Sequence, residues 1–489
     1  MKKRESLKQI FEEALNNYKK KDYKNAENYC YKILNIDPNH FDSISLLATI
    51  SAINSNFKKA KELILKAVEI EPNNVVALNN LGTAYKELGQ LEKAVNTYKK
   101  VLTINPNHIN ANYNLGISFY ALRNLKEAKI YLQKTTKIQN KYALAFQSLA
   151  NVHVDLKELK EAKNCYQKAI EINPNLVGAH NNLGITFRDL NDLESAINCY
   201  QKAIKVRANN PSAHHNLGQA YKEIGEFDKS IKAHQMAIKY EPENLIHYQF
   251  LSELKKDILD SELKNKIKKI IENSKSTSLN LAYGNFLLAK YERKEKNYEK
   301  ELNYLKKAHQ NFYNSQKEKF DLGNKYCFDD VLKIEKEAHV ETSNKKNDDE
   351  IKPIFIFGVP RCGSTLIERI IGSGRELIPV GEETGIIGHY IPSRVLKKKS
   401  LNLGNLENIR SELFDKYNQK KLISKKHGYR FTDKSLDNFF YLKLIRSIYP
   451  KAKLINCKRD VLSSIISIYQ NNLANLAWCH DLNNIFKYF

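Results

Sequence analysis

The stretch "NNVVALNNLGTAYKELGQLEKAVNTYKKVLTINP", Asn73 to Pro106, decides the fold of the first half of the chain. It holds two apolar stripes at helical spacing. The first carries Leu81, Ala84 and Tyr85, and the second Ala94, Tyr98, Val101 and Leu102. Gly89 sits at the C-terminal turn of the first helix, and Pro106 stops the second, because proline cannot continue a helix. The pattern returns every 34 residues. Prolines stand at 38, 72, 106, 174 and 242, and the two remaining grid points hold Asn140 and Ala208. A small residue follows its own grid: Ala26, Ala60, Ala94, Ala128, Ala162, Ala196 and Ser230. Leucines follow a third, at 47, 81, 115, 149, 183 and 217. Three registers with one period leave almost no room for coincidence.

The period, the Leu-Gly pair, the alanine and the proline together resemble the tetratricopeptide repeat (TPR), in about seven copies. The resemblance implies a superhelix with a concave face suited to extended peptide. One row bears on that face. Asn80, Asn114, Ser148, Asn182 and Asn216 occupy equivalent positions, and Leu46 breaks the row at its start. A carboxamide both donates to and accepts from a peptide backbone without reading its sequence. The row is similar to the asparagine ladder of O-linked N-acetylglucosamine transferases, which implies peptide binding by Asn80, Asn114, Asn182 and Asn216. Solvated asparagines on a helix in an Asn-rich chain are the alternative.

The expected organisation is a TPR superhelix over 1–250, a helical cap or degenerate repeat over 251–337, a polar linker over 338–350, and a different grammar from 351 to 489. There strands alternate with helices. "PIFIFGVPRCGSTLIERII", Pro353 to Ile371, reads as a buried strand, a small-residue loop and a helix start. This is the layout of a phosphate-cradling loop without the lysine of G-x-x-x-x-G-K-[ST]. Gly358 and Gly363 permit the tight turn. The N–H groups from Cys362 to Thr365 face an anion, with the Ser364 and Thr365 hydroxyls beside them. Arg361 supplies the missing charge.

The loop resembles the sulfotransferase signature P-[RK]-[ST]-G-[ST]-T, here Pro360-Arg361-Cys362-Gly363-Ser364-Thr365. That resemblance implies a loop for the 5′-phosphosulfate of 3′-phosphoadenosine 5′-phosphosulfate (PAPS). A second segment, "PKAKLINCKRDVLSSIISIYQ", reads as a strand followed by a helix. Its Arg459 and Ser467 have the family's spacing for the 3′-phosphate. "PVGEETGIIG" resembles the G-E-E-T segment of tyrosylprotein sulfotransferases, which makes Glu383 the general base, with Glu382 beside it as the other candidate. "RFTDKSLDNFFYLKLI" resembles the D-K-x-P-x-N segment of TPR-linked bacterial sulfotransferases. It implies that Lys434 stabilises the leaving phosphate and that Asp433 and Asn438 position it, with Leu436 in place of the proline.

The resulting expectation is an α-helical TPR superhelix followed by an α/β P-loop-like sulfotransferase domain with a parallel sheet. The domain is expected to be incomplete, because the family continues past the 3′-phosphate helix. Leu476, Trp478, Ile485, Phe486 and Phe489 would then be exposed and prone to aggregate or to find a partner. The implied activity is sulfuryl transfer from PAPS, without metal, to a hydroxyl on a protein or peptide held by the repeats. Tyrosine is one acceptor, although Gly385 replaces the arginine that meets peptide in the tyrosylprotein enzymes. Carbohydrate is another. A TPR scaffold with a dead C-terminal domain is the competing expectation. A P-loop hydrolase or kinase would need the missing lysine and a magnesium ligand.

Composition agrees with these limits. Lys and Arg number 79 against 55 Asp and Glu, a formal charge of +24, but no compact basic block marks a nucleic-acid surface. An anionic small molecule or an acidic protein suits that charge equally well. The seven cysteines form no C-x-x-C pair, so neither zinc nor a disulfide framework is expected. The start, "MKKRESLKQIFEEALNN", has no apolar core of a secretory signal, and no run reaches membrane-spanning length. A cytoplasmic location is the expectation.

Overall fold

The computed structural model describes residues 2–273, 275–341, 351–358, 360, 362–374, 377–398, 401–423, 428–471, 473 and 476–488. They form two compact units, Met1–Pro242 and Glu243–Phe489.

The first unit is an array of helical hairpins, the Leu91–Ile104 helix for example following Val75–Glu87. Each hairpin turns the same way. Lys21, Ser55, Gly89, Arg123, Lys157, Asn191 and Gly225 all take φ between 58° and 82°, one per 34-residue unit. The N–H of the next residue reaches back to the helix, as from Gln90 to the Tyr85 carbonyl at 2.9 Å. This is a Schellman closure, which left-handed backbone makes possible. At Asp22, Asn56, Asn124 and Asp192 the same residue then caps the following helix with its side chain. One residue thus ends one helix and starts the next.

The Leu-Gly pair has a packing reason. A Cβ built on Gly82 would lie 2.5 Å from the ring of Tyr98, and one on Gly184 2.5 Å from Tyr200. Both tyrosines are fully buried, as are the grid alanines from Ala26 to Ala196. Small residues on one helix make room for a large ring on its partner.

The second unit opens with helices Leu245–Leu254 and Ser261–Glu272. A hairpin of Ser278–Lys294 and Tyr298–Ser315 follows. Its turn repeats the device of the first unit: Lys296 has φ 57° and Asn297 caps Lys300. Helices Lys317–Lys325 and Val331–Glu337 lead to the strands. These are β1 (His339–Glu341), β2 (Lys352–Phe357), β3 (Asn402–Asn405), β4 (Arg430–Asp433) and β5 (Lys453–Asn456). All pairings among them are parallel, β1 with β3 and, separately, β4-β2-β5 with β2 in the centre. The first residues of the polar stretch read as a linker are therefore a strand. Its remainder, 342–350, lies outside the described residues.

Consecutive burial of Phe355, Ile356 and Phe357 in β2 fits a strand covered on both faces. Phe355 and Phe431 pack with Ile387, Leu413, Tyr417, Leu444 and Ile448 into the main core. A second core joins Phe286, Ala289, Leu305 and Ala308 of the helical hairpin to Ile465, Ile468, Tyr469, Trp478, Cys479 and Ile485. This corrects the expectation of an exposed apolar end: Trp478 and Ile485 are buried and Leu476 packs against the same core. Phe486 is exposed, and Phe489 lies outside the described residues.

At the centre of this second core two imidazoles meet. His309 Nε2 donates to the Tyr469 carbonyl at 2.7 Å, and its Nδ1 lies 3.0 Å from Nδ1 of His480. The first bond leaves Nδ1 of a neutral His309 as an acceptor, so His480 Nδ1 carries the proton between them. Burial lowers His309 to about 4, and burial together with His309 lowers His480 to about 3. Folded-state values below the unfolded 6.5 mean that the unfolded chain binds more protons between the two. The pair's contribution is therefore present above pH 6.5 and lost as pH falls toward 4. Between pH 7 and pH 5 it costs about 2 kcal/mol per imidazole. Urea unfolding monitored at Trp478 is expected to show that loss, and a His309→Phe, His480→Phe double variant to show a flatter pH dependence. Identical pH profiles would count against the neutral pair.

Candidate functional site

The loop after β2 turns on two glycines. Gly358 has φ 155°, and a Cβ there would meet the Cys457 carbonyl oxygen at 2.4 Å. Gly363 has φ 94° and starts the helix Ser364–Gly372. A Cβ on it would have open space around it. Room over the helix start is what an incoming anion needs. Ser364 is buried and Thr365 exposed at this mouth, and Arg361 lies outside the described residues.

Lys434, the residue after β4, reaches the loop. Its side chain is 8% exposed, and Nζ lies 3.3 Å from Thr365 Oγ1 and 3.3 Å from Glu383 Oε1. Glu383 is 60% exposed, so its carboxylate faces solvent on one side and the lysine on the other. The two glutamates differ in geometry. Glu382 takes the left-handed φ of 48° and works through its backbone: its carbonyl accepts from the Lys434 N–H at 2.8 Å. Its own N–H donates to Glu368 Oε1 at 3.0 Å. Gly385 is also left-handed, at φ 63°, where an arginine would be strained.

Glu368 escaped the sequence reading. It is fully buried on the loop helix, and its Oε1 also accepts from Thr432 Oγ1 at 2.6 Å. Burial raises its pKa, against the hydrogen bond from Thr432 and the charge of Lys434. One carboxylate thus fastens the loop helix to β4 and to the turn that carries Glu383. The local Leu-Ile-Glu of the helix gives no hint of this, because the partners are brought by β4 and by the turn.

Asp433 is the second hub. One oxygen accepts from Thr384 Oγ1 at 2.7 Å and Tyr417 OH at 2.8 Å. The other accepts from Ser435 N, Ser435 Oγ and Asn438 Nδ2 at 3.0, 2.6 and 3.1 Å. The Glu-Glu-Thr turn and the Asp-Lys segment are therefore one hydrogen-bonded body.

β5 lies beside β2, and Cys457 N continues their pairing to the Phe357 carbonyl at 2.8 Å. This sets the end of β5 next to the phosphate loop. Arg459 follows, exposed, and Ser467 sits half-buried on the helix Val461–Tyr469. Ser463 serves the cap of that helix, its N–H donating to Asp460 Oδ2 at 2.7 Å. Hydrogen bonds from Ser463 hold the Asp460 carboxyl below its ordinary value. Among the described residues no group of His, Cys, Asp and Glu is arranged to hold a metal ion, and no helix is long and apolar enough to cross a membrane.

In the first unit the row of asparagines is half-buried, and two of its amides bond to asparagines outside the row. Asn182 donates to Asn151 at 3.2 Å, and Asn216 to Asn181 at 3.0 Å. Ser148, in the same row, lies 3.4 Å from the Tyr113 hydroxyl.

Residues 353–485 match the model of the Sulfotransferase family. Residues 82–122, 150–188 and 184–225 match a TPR repeat, and 63–96 and 213–246 match tetratricopeptide repeats. An uncharacterized protein of Aquifex aeolicus (strain VF5) is 29% identical over 210 residues, 40% of this chain and 26% of that protein. The chain thus spans about a quarter of the length of the curated relative it matches. Among solved structures, MamA is 25% identical, covering 33% of this chain and 95% of that one with a TM-score of 0.32. YrrB, described as a TPR protein with an unusual peptide-binding site, is 23% identical, covering 38% and 95% with a TM-score of 0.34. PilF of Pseudomonas aeruginosa is 19% identical, covering 44% and 97% with a TM-score of 0.40.

Proposed function

For a chain that joins tetratricopeptide repeats to a sulfotransferase-family domain, we propose sulfuryl transfer from PAPS to a hydroxyl acceptor recruited by the repeats, in the cytoplasm. The observation that carries this reading is Lys434 Nζ, 3.3 Å from both the loop hydroxyl of Thr365 and the carboxylate of Glu383. The residues fit the donor: an open helix start at Gly363, hydroxyls at Ser364 and Thr365, and a cation between loop and base. PAPS supplies the sulfuryl group when bound. Glu383 takes the proton of the acceptor hydroxyl, and Glu382, engaged through its backbone, holds the turn. Lys434, with Arg361, neutralises charge developing on the leaving oxygen. Arg459 and Ser467 take the 3′-phosphate, and the N–H groups of Cys362, Gly363, Ser364 and Thr365 take the 5′-end. The acceptor is a protein or peptide hydroxyl, tyrosine included, or a carbohydrate.

Calorimetry with 3′-phosphoadenosine 5′-phosphate, against ATP with magnesium, tests the reading. Binding of the first, lost in Arg459→Ala, supports it. Silence toward both nucleotides supports a scaffold, and preference for ATP with magnesium a hydrolase or kinase.

The repeats make a separate prediction. Changing Asn114, Asn182 and Asn216 to Ala is expected to weaken capture of peptides from a random library at least tenfold. The half-buried amides of Asn182 and Asn216 bond to Asn151 and Asn181, polar neighbours outside the apolar core, so the melting temperature should fall by only a few degrees. Unchanged peptide capture would remove the ladder from the account.

A further inference from the structure

The phosphate loop departs from the sulfotransferase signature at one residue: Cys362 stands where Ser or Thr is usual. The fold brings a second thiol to it from 95 positions away in sequence. Cys457 follows β5 beside β2, its N–H bonded to the Phe357 carbonyl, and its thiol lies within electrostatic reach of that of Cys362. Gly358 fixes this contact from below. A Cβ there would fall 2.7 Å from Cys362 Sγ and 2.4 Å from the Cys457 carbonyl oxygen, so a larger residue would wedge the two strand ends apart. Both cysteines are free thiols.

We propose that Cys362 and Cys457 form a reversible disulfide that closes the phosphate loop to its nucleotide. The closure rests on the nucleotide-binding reading above. Its chemistry balances with a hydroperoxide as oxidant. The thiolate of Cys362, the less buried of the pair, attacks the peroxide oxygen, leaving a sulfenic acid and, with hydrogen peroxide, one water. Cys457 sulfur then attacks the sulfenyl sulfur, the S–S bond forms and a second water departs. The two thiols give up two electrons and two protons, and the peroxide takes them. A dithiol reverses the step by exchange. Burial and the neighbouring Cys362 raise the Cys457 thiol, which suits a resolving partner rather than the first to react. The bond draws Cys362 toward β5, and its backbone N–H leaves the anion-facing set at the helix start. Disulfides that form in a reducing compartment are commonly transient and redox-sensing.

The test treats the full chain with hydrogen peroxide, maps cross-linked peptides by mass spectrometry, and measures 3′-phosphoadenosine 5′-phosphate affinity before oxidation, after it, and after dithiothreitol. The expected result is a Cys362–Cys457 peptide, at least a tenfold loss of affinity, and recovery on reduction. Cys457→Ser should bind as the reduced wild type does and lose nothing on oxidation. Absence of the cross-linked peptide overturns the proposal, and so does a cross-linked protein of unchanged affinity. If the reduced protein does not bind the nucleotide, the sulfotransferase reading and the closure fall together, and the peptide map still reports on the thiol pair.

Discussion

Replacing Asp433 with alanine is expected to cost about 3–5 kcal/mol of folding stability, because several buried neutral donors lose their shared acceptor at roughly 1–3 kcal/mol for each one left unsatisfied. The argument lies in the partners. Asp433 is fully buried and accepts from Thr384, Tyr417, Ser435 twice and Asn438. Tyr417 is itself fully buried, and burial followed by the charge of Asp433 pushes its pKa well above the ordinary value, so it stays a donor. Alanine leaves these donors facing a hole. Asparagine keeps one oxygen and sets an amide against the other donors. Hydroxyls at Thr384 and Tyr417 can rotate to accept, so Asp433→Asn should cost roughly half as much. Urea unfolding at constant slope measures both. An alanine variant within 1 kcal/mol of wild type would falsify the hub.

Lys434→Met carries the largest kinetic prediction. On the proposed function it lowers the rate of sulfuryl transfer by about 10²–10³, the usual loss when a preorganised charge is removed from a developing anion. The fold should tolerate the change. Methionine fills a similar volume, and the partner left behind, Glu383, is 60% exposed and turns to water. Transfer of label from PAPS to acceptors in a cell extract measures the rate, and calorimetry with 3′-phosphoadenosine 5′-phosphate measures what binding remains. A rate within threefold of wild type would take Lys434 out of the chemistry.

The repeats were legible because every unit solves the same packing problem with the same residue types, at Ala94 and Ala128 as at Gly82 and Gly116. The left-handed turn was legible only in part. Gly89 and Gly225 announce it, whereas Lys21, Ser55, Arg123 and Lys157 take the same backbone with no marker in their residue type. In the second unit, local motifs gave Thr365, Lys434 and Glu383, and the fold brings these three together. What stayed hidden depends on distance in sequence. Glu368 meets residues 14 and 64 positions away, and His309 meets His480 across 171. Neither carries a periodic or spaced signal, because tertiary packing, not local pattern, creates the contact.

That 171-residue separation has a consequence for how the chain is made. The hairpin Ser278–Ser315 leaves the ribosome long before residues 465–485, at ordinary synthesis rates by roughly 10–30 s. Through that interval Phe286, Leu305, Phe312 and the neutral His309 have no cover from Ile465, Trp478 and Ile485. A fragment starting at residue 351 faces the mirror problem, since half of its second core belongs to helices it lacks. The segment that reads as a cap on the repeats is therefore left with an uncovered apolar face until synthesis catches up.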